Sequence, residues 1–439
     1  MNMLYALPIV LLPYSLFLPP DVGVGVSALA LLWASLFGRR DPPGLPRTNL
    51  LLAPLLGLFL AFLLGWFIAL GHDPSRPGAV ALEAKYALTY PLLYLAYRHC
   101  GLDARGTRQL IMLTLVVAAF AGFHAVSQGL QFDTAQFADG QRATGPFGAI
   151  DAANRAGVYF AMFLSMFVAL ALQPGCQKPL RLMAIVAAGV LVAAILFTFS
   201  RQAYVIAAFG IALLLLHRSF TVAAVAMLVV AVIGASLLPD SVIQRIDETR
   251  QISASGAVSY DGSTESRLEI WRGAFSMLAD HPAGVGLGRF REHIGDYTVY
   301  AGMDTHNGFL RVLAECGPLA LAMMLWLVWR LWQLVLGVQS ASRDSHPVSR
   351  ALGVGLAVAV IAMLLGNLFG SPYFDGLVMY SFWILCGLME RHAVIQAHAQ
   401  GERTDVERFP QGAVATGRFP VAARLFPGLI RRPNPGPGE

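Results

Sequence analysis

Apolar runs of roughly 20 residues, separated by short polar segments, cover most of the chain. A run of that length crosses the hydrocarbon core of a bilayer as an α-helix. The pattern therefore predicts an all-α polytopic membrane protein with twelve transmembrane helices. The predicted spans are residues 3–19, 22–38, 50–71, 79–97, 109–128, 154–173, 182–199, 202–216, 220–238, 308–337, 351–370 and 374–390.

The composition supports this interpretation. Charged residues make up only 13% of the chain and hydrophobic residues 56%, whereas soluble proteins carry about 25% charged residues. The first apolar run lacks a basic leader and a small-residue cleavage site, so it is interpreted as a membrane helix rather than a signal peptide. The four cysteines have neither the spacing nor the location of a disulfide framework or a metal knuckle.

Basic residues recur at every second connection between the spans, and this sets the orientation. Positively charged loops stay in the cytoplasm, so that face and both termini are predicted to be cytoplasmic. The intervening connections, above all 239–306 between spans nine and ten, then face the periplasm. These loops account for the net charge of +5, so no nucleic-acid partner is expected. The basic positions are Arg39, Arg40, Arg47, Arg98, Arg105, Arg108, Lys178, Arg181, Arg218, Arg343 and Arg350.

The chain divides into a transmembrane domain, residues 1–390, and a cytoplasmic tail, residues 391–439. Beyond residue 400 the tail is rich in Arg, Pro and Gly and has little apolar periodicity. Such a composition favours a mobile tail.

The long outer loop contains one predicted helix, residues 266–279. Ser266 and Glu269 have the spacing of a capping box. The helix either packs on the bundle or lies on the membrane surface, and packing is favoured. Glycines at every second position after Pro282 predict a tight, mobile turn rather than a dinucleotide site, because no strand precedes them. The apolar face of the helix comprises Leu268, Trp271, Phe275 and Leu278.

Ionisable residues in or beside the outer ends of the spans are costly and require an explanation. Guanidinium groups bind phosphate oxygens through two parallel hydrogen bonds, so the arginines as a set predict binding of a lipid-linked diphosphate. For Arg201 and Lys85 the alternative is an interfacial side chain that reaches a lipid phosphate. The ionisable residues at the outer ends of the spans are Lys85, Arg142, Arg155, Arg201, Arg267, Arg289, His306 and Asp375.

His306 directly precedes the predicted tenth membrane helix. A neutral imidazole accepts a proton near pH 7, and the N-terminal end of a helix disfavours the imidazolium form. His306 is therefore a candidate general base. The alternative is a histidine or threonine that caps the helix and takes no part in chemistry.

Several short segments together resemble the O-antigen ligase and polymerase superfamily. The resemblance extends over residues 80–390. The segments are Phe199–Ala203, Arg267–Trp271, Asp280–Pro282, Gly284–Phe290, Thr305–Leu310 and Glu315–Gly317, with Thr144–Phe147 and Asn154 before a span.

The resemblance implies a GT-C-type membrane glycosyltransferase that uses polyprenyl-diphosphate sugar donors in the periplasm. In the ligase branch, O-antigen polysaccharide moves from undecaprenyl diphosphate to a sugar hydroxyl of lipid A–core. His306, Arg201 and Arg267 match the catalytic positions of the family, and Asp375 is loosely matched to an acidic position. Lys85, Arg142, Arg155, Arg289 and Asn307 complete the predicted substrate-binding set.

One dominant outer loop favours a ligase over a polymerase, which is the alternative within the superfamily. A lipid-linked sugar transporter is the alternative from another class. The resemblance places the protein in the bacterial inner membrane, in contact with membrane lipids. No metal or other cofactor is predicted, because the outer loops contain no Asp-x-Asp motif. Asp21 and Asp73 are interpreted as turn residues.

Overall fold

The computed structural model describes residues 2–14, 17, 22–37, 41, 45–46, 49–72, 89–132, 141–148, 152–221, 250–252, 258–260, 262–343 and 345–408. Among these residues, six helices are long and apolar enough to cross a membrane. The chain is thus a multi-pass membrane protein. The number of twelve spans stays a prediction, since the ninth, 220–238, falls almost entirely outside the described residues.

Helices dominate the described part of the chain. Short 3-10 helices at Ile294–Asp296 and Pro372–Phe374 follow α10 and α12. The α-helices are α1 (Asn2–Leu11), α2 (Val22–Phe37), α3 (Leu52–His72), α4 (Leu92–Arg98), α5 (Ala104–Gly129), α6 (Ala153–Leu172), α7 (Lys178–Phe197), α8 (Arg201–Arg218), α9 (Gly262–Asp280), α10 (Phe290–His293), α11 (Gly308–Ser342), α12 (Pro347–Phe369) and α13 (Gly376–Arg408).

A small antiparallel ribbon departs from the predicted all-α class. Strand β1 (Arg250–Ile252) pairs with β2 (Val258–Tyr260), with Gln251 opposite Ser259. Both strands precede α9 in the outer loop. The rest of the described chain is helices and their connections.

The core of the bundle surrounds α6, which contacts α7, α8 and α12. Glycines allow these helices to approach closely. A Cβ atom on Gly157 would lie 2.6 Å from the Cβ of Ala203, and one on Gly366 would lie 2.5 Å from Val158. Small residues at helix contacts are typical of membrane bundles, because lipid supplies no hydrophobic force between helices.

The helices alternate in direction, so the bundle has two ends. At one end, here called the loop end, α3, α5, α7 and α12 finish and α6, α8, α11 and α13 begin. The backbone bonds Ala143 N to Phe197 O, Leu287 N to Gly65 O and Gly308 N to Gly370 O join segments there. At the opposite end, Arg98 donates to the backbone oxygen of Pro46. This division agrees with the two loop groups predicted from the sequence.

The segment around Arg201 forms two helices, as predicted. The turn Thr198–Ser200 separates α7 from α8. Ser200 caps α8, because its side chain accepts a hydrogen bond from the backbone N–H of Ala203.

The predicted boundary at residue 390 falls inside α13, which continues to Arg408. Arg391 and His392 are buried. Arg391 pairs with Asp41 at 2.7 Å and also donates to the backbone oxygen of Leu102. Residues 391–408 are therefore helical, and the start of this stretch belongs to the bundle. Residues 409–439 lie outside the described part of the chain.

The capping box predicted at Ser266 is wrong. The helix begins one turn earlier, at Gly262, because nothing between Gly262 and Ser266 breaks a helix and Glu265 favours a first turn electrostatically.

The apolar face predicted for this helix is also rotated. Ile270, Ala274 and Met277 are buried against a cluster that includes Phe290 and Leu310. Leu268 and Phe275, which were predicted to be on the packed face, are 44% and 58% exposed. The prediction that the helix packs on other elements is confirmed.

Candidate functional site

Among the described residues, α6, α8, α11 and α13 begin at the loop end, and contacts join their first turns. The backbone N–H of Gly308 at the start of α11 donates to Gly370 O at 2.8 Å, after the end of α12. The side chain of Gln202 in α8 lies about 3.4 Å from the place of a Cβ on Gly370. Arg155 of α6 and Asp375 before α13 form an ion pair at 2.8 Å. Each helix N-terminus carries partial positive charge, so this end favours anions.

The segment before α11 is held from two sides. The indole Nε1 of Trp271 on α9 donates to the backbone oxygen of Thr305 at 2.8 Å. The Thr305 hydroxyl donates to Asn307 O at 2.9 Å and accepts from Asn307 N at 3.2 Å. His306, between them, adopts the left-handed conformation with φ 49°, which is uncommon for a residue other than glycine. The ring is thereby presented from a fixed backbone.

Asn307, and neither His306 nor Thr305, caps α11. Its side-chain oxygen accepts from the backbone N–H groups of Phe309 and Leu310, both at 3.1 Å. Helix capping, which was the alternative role considered for His306, is thus performed by Asn307. The oxygen of Asn307, predicted to bind substrate, is already engaged by the protein.

The surroundings of His306 favour the neutral ring. Burial lowers the pKa of His306, the nearby positive charge of Arg267 lowers it further, and Arg291 adds to this effect. The Asp304 carboxylate opposes the shift, but the pKa of His306 remains below its ordinary value of 6.5. The ring is therefore neutral at pH 7 and able to accept a proton.

Asp304 stays ionised beside this histidine. Burial alone would raise the pKa of its carboxyl, but the charges of Arg311 and Arg291, together with the backbone N–H of Thr305, outweigh burial and hold the pKa below its usual range. One carboxylate oxygen accepts from Thr305 N at 2.9 Å, and the other lies 3.9 Å from Arg291 Nη2.

Arg201 is the first residue of α8 and follows the strained turn. Phe199, two residues earlier, has φ 47°. Apart from glycines, Phe199 and His306 are the described residues with positive φ. Both stand immediately before the cap of a helix at the loop end. A residue with positive φ directly before a helix cap is therefore found both next to Arg201 and at His306 itself.

Arg142 supports the turn that precedes Arg201. Its Nε donates to Thr198 O at 2.9 Å and its Nη2 donates to Asn154 Oδ1 at 2.6 Å. The guanidinium thus joins segment 141–148 to α6 and to the α7–α8 turn. This contact gives Arg142 a structural task in addition to the predicted substrate contact.

Two other predicted residues are brought together as an ion pair. Arg155 Nε lies 2.8 Å from Asp375 Oδ2, and Asp375 also accepts from Val378 N at 3.2 Å near the start of α13. The Arg155 side chain keeps 36% of its surface exposed. Asp375 therefore orients an arginine at the loop end and helps to cap a helix.

Arg289 is only 5% exposed and pairs with Glu292 at 3.3 Å. Its burial in the turn that follows α9 favours a structural role over the predicted phosphate contact. The tight turn itself is confirmed, since Gly284, Gly286 and Gly288 all have positive φ. Gly286 packs so closely on α3 that a Cβ would lie 2.6 Å from the backbone of Ala69.

The sequence analysis missed a buried pair that joins these parts. Arg311 Nε lies 3.1 Å from Glu315 Oε1, and the two residues are one turn apart on α11. Glu315 also accepts from the backbone N–H groups of Gly288 and Phe290. The guanidinium of Arg311 lies 4.2 Å from the ring centre of Phe374. The pair could have been predicted from the sequence, because an arginine and a glutamate four residues apart lie on the same face of a helix.

Three residues considered in the sequence analysis fall outside the described part of the chain: Lys85, Asp21 and Asp73. The sequence analysis also missed Arg291, another arginine whose charge acts on His306. It lies on α10 and affects the pKa of both His306 and Asp304.

A family model described as O-antigen ligase matches residues 186–325. This part of the chain is therefore similar to O-antigen ligases. The matched region includes Arg201, Arg267 and His306, and it confirms the resemblance to this family. The family covers O-antigen ligases and polymerases, which are membrane glycosyltransferase-like enzymes. No curated protein matches the chain.

The matched region ends within α11, whereas Arg142, Arg155 and Asp375 lie outside it. The fold nonetheless brings residues from inside and from outside the matched region together at the loop end. Residues from the two sets meet through Arg142 and Thr198, and through the bond between Gly308 and Gly370.

Proposed function

We propose that the protein is an O-antigen ligase. It moves O-antigen polysaccharide from undecaprenyl diphosphate to a sugar hydroxyl of lipid A–core. The observation that carries this proposal is the position of His306. The backbone segment that carries the ring is held by Trp271 of α9. The ring is kept neutral by burial and by Arg267, and it lies at the end where α6, α8, α11 and α13 begin.

His306 is the proposed general base. It removes the proton from the acceptor hydroxyl as that oxygen forms a bond to the anomeric carbon of the donor sugar. The bond between the anomeric carbon and the phosphate oxygen breaks in the same step. The electron pair leaves with undecaprenyl diphosphate. A single displacement of this kind inverts the anomeric centre.

Arg201 and Arg267 are proposed to bind the diphosphate and stabilise the charge that develops on it. Arg155, oriented by Asp375, assists them. Fixed positive groups aimed at developing charge are usually the largest single contribution to catalysis. In this mechanism the arginines and helix N-termini take the place of a divalent cation. Activity in the presence of EDTA is the expected result, and dependence on added Mg²⁺ or Mn²⁺ would contradict it.

The proposed substrates define the proposed location. Both are lipids whose sugars face the periplasm, so the loop end is assigned to the periplasmic face of the inner membrane. Both termini are then cytoplasmic. The positive loops predicted for the opposite end support the same orientation.

The proposal is tested by lipopolysaccharide gels of a strain that lacks this chain, complemented with wild type, His306→Ala or His281→Ala. His281 lies in the same outer segment and is the matched control. Wild type and His281→Ala should restore the O-antigen ladder. His306→Ala should leave the polymer on the lipid carrier, although membrane levels of the variant protein are normal.

The gel also distinguishes the alternatives. If the strain retains core carrying a single repeat unit, the protein is the polymerase of this family. If His306→Ala restores the ladder, His306 is not the base. A lipid-linked sugar transporter would instead leave the polymer precursor on the cytoplasmic side.

A further inference from the structure

A groove of about 320 Å³ lies between α11 and α13 at the opposite end of the bundle. Its lining includes Asn49, Arg330, Gln333, Gly337 and Glu390. None of these residues belongs to the candidate site. The groove therefore requires its own explanation.

Arg330 lies within an apolar stretch of α11 that faces lipid. Leu325 and Leu336 are about half exposed on this helix, and so are Trp329 and Trp332. Exposed tryptophans are typical of the boundary between hydrocarbon and headgroups. At that boundary an arginine places its charged end among the lipid headgroups.

The protein contacts of Arg330 are with neutral groups. Its Nε donates to Leu50 O at 3.0 Å and its Nη1 donates to Gln333 Oε1 at 2.7 Å. Within the described ranges, Arg330 forms no ion pair. Its positive charge is held in place, but these contacts do not neutralise it.

The one carboxylate among the residues named for the groove is already engaged. Glu390 pairs with Arg98 at 3.3 Å and accepts from the hydroxyl of Tyr94 at 2.5 Å and from Leu50 N at 3.2 Å. These contacts satisfy Glu390 within the core. An anion from outside the protein is thus the natural partner for Arg330.

We propose that the groove binds the headgroup of an anionic phospholipid, with its phosphate on Arg330 and its acyl chains along α11. Basic pockets between transmembrane helices are known to bind such headgroups. Gln333 and Asn49 supply neutral polar groups beside the phosphate. This inference is independent of the proposed enzymatic function, because it concerns the other end of the molecule.

Native mass spectrometry of the full chain, released from vesicles of defined composition, tests this inference. Phosphatidylglycerol should remain bound in preference to phosphatidylcholine. Arg330→Gln should weaken retention of phosphatidylglycerol about fivefold, which corresponds to roughly 1 kcal/mol for one basic residue near a headgroup. Arg343→Gln, an exposed position beyond the end of the same helix, is the matched control and should retain the lipid.

A second variant separates binding from folding. A Cβ on Gly337 would meet open space in the groove, so Gly337→Leu fills it without removing a charge. This variant should also lose the lipid. Equal retention of the two lipids by wild type, or full retention by both variants, would overturn the inference. Displacement by excess inorganic phosphate would identify a site for the free ion instead.

Discussion

The two ends of the bundle use the same residue types for different purposes. At the opposite end, Glu390, Arg98 and Tyr94 form a compact buried network, and Arg391 pairs with Asp41. At the loop end, arginines stand beside helix N-termini and beside a histidine whose pKa is lowered. Charges that satisfy one another stabilise a fold, whereas positive charge concentrated around a neutral base suits a reaction with a diphosphate.

The comparison predicts that variants at the opposite end lose stability, whereas variants at the loop end lose turnover. The largest effect on stability is expected at the opposite end. Glu390→Ala leaves Arg98, which is fully buried, without its carboxylate. Removing one partner of a buried pair costs about 3–5 kcal/mol. Unfolding in mixed micelles, followed by circular dichroism, would measure this loss.

Glu390→Gln is the matched control, because an amide still accepts a hydrogen bond from Tyr94. It should lose less stability than Glu390→Ala. The activity of each folded variant should stay near that of wild type. A large loss of turnover without a loss of stability would place Glu390 in the chemistry and break the comparison.

At the loop end, the expected change in activation free energy is smaller than this loss of unfolding free energy, and it should affect turnover but not stability. Arg201→Ala should lower kcat about 10²- to 10³-fold, because it removes a positive group that is proposed to bind the leaving diphosphate. Arg218→Ala alters the same helix at its other end and is the control. Steady-state assays with purified protein in detergent would compare the two variants.

If both arginine variants lost the same activity, the distinction between the ends of α8 would fail. If Arg201→Ala kept full turnover but lost stability, Arg201 would serve the fold rather than the reaction.

The smallest effect is expected for the link between α9 and the His306 segment. Trp271→Phe removes the donor that binds Thr305 O at 2.8 Å. The loss of a single hydrogen bond should cost about 1 kcal/mol and lower kcat by less than about tenfold. Trp332→Phe, on the exposed face of α11, is the control and should leave both quantities unchanged.

A loss of turnover much larger than the loss of stability would show that Trp271 positions His306 for the reaction. No change in either quantity would show that the segment is held without this bond.

The sequence predicts the local features of this molecule well. Apolar runs mark the helices, and the two helices around Arg201 follow from the length of a membrane span. These features depend on residues close together in the chain, and therefore they can be inferred from a pattern.

The contacts that assemble the candidate site were not predictable in the same way. Arg155 meets Asp375, and Glu315 accepts hydrogen bonds from Gly288 and Phe290. Such contacts depend on how distant helices pack. The buried face of α9 was mispredicted for a related reason. Apolar residues occur on two sides of this helix, and only its neighbours decide which side is covered.

The dependence of kcat/KM on pH tests the role of His306 most directly. The pKa of His306 is lowered, so activity should fall only as the pH drops below 6.5, when the ring becomes protonated. Arg267→Gln removes a charge that lowers this pKa, so its acidic limb should move to higher pH. Arg272→Gln, exposed on the same helix, should leave the limb in place. A profile without an acidic limb, or one that Arg267→Gln does not shift, would contradict His306 as a neutral base beside Arg267.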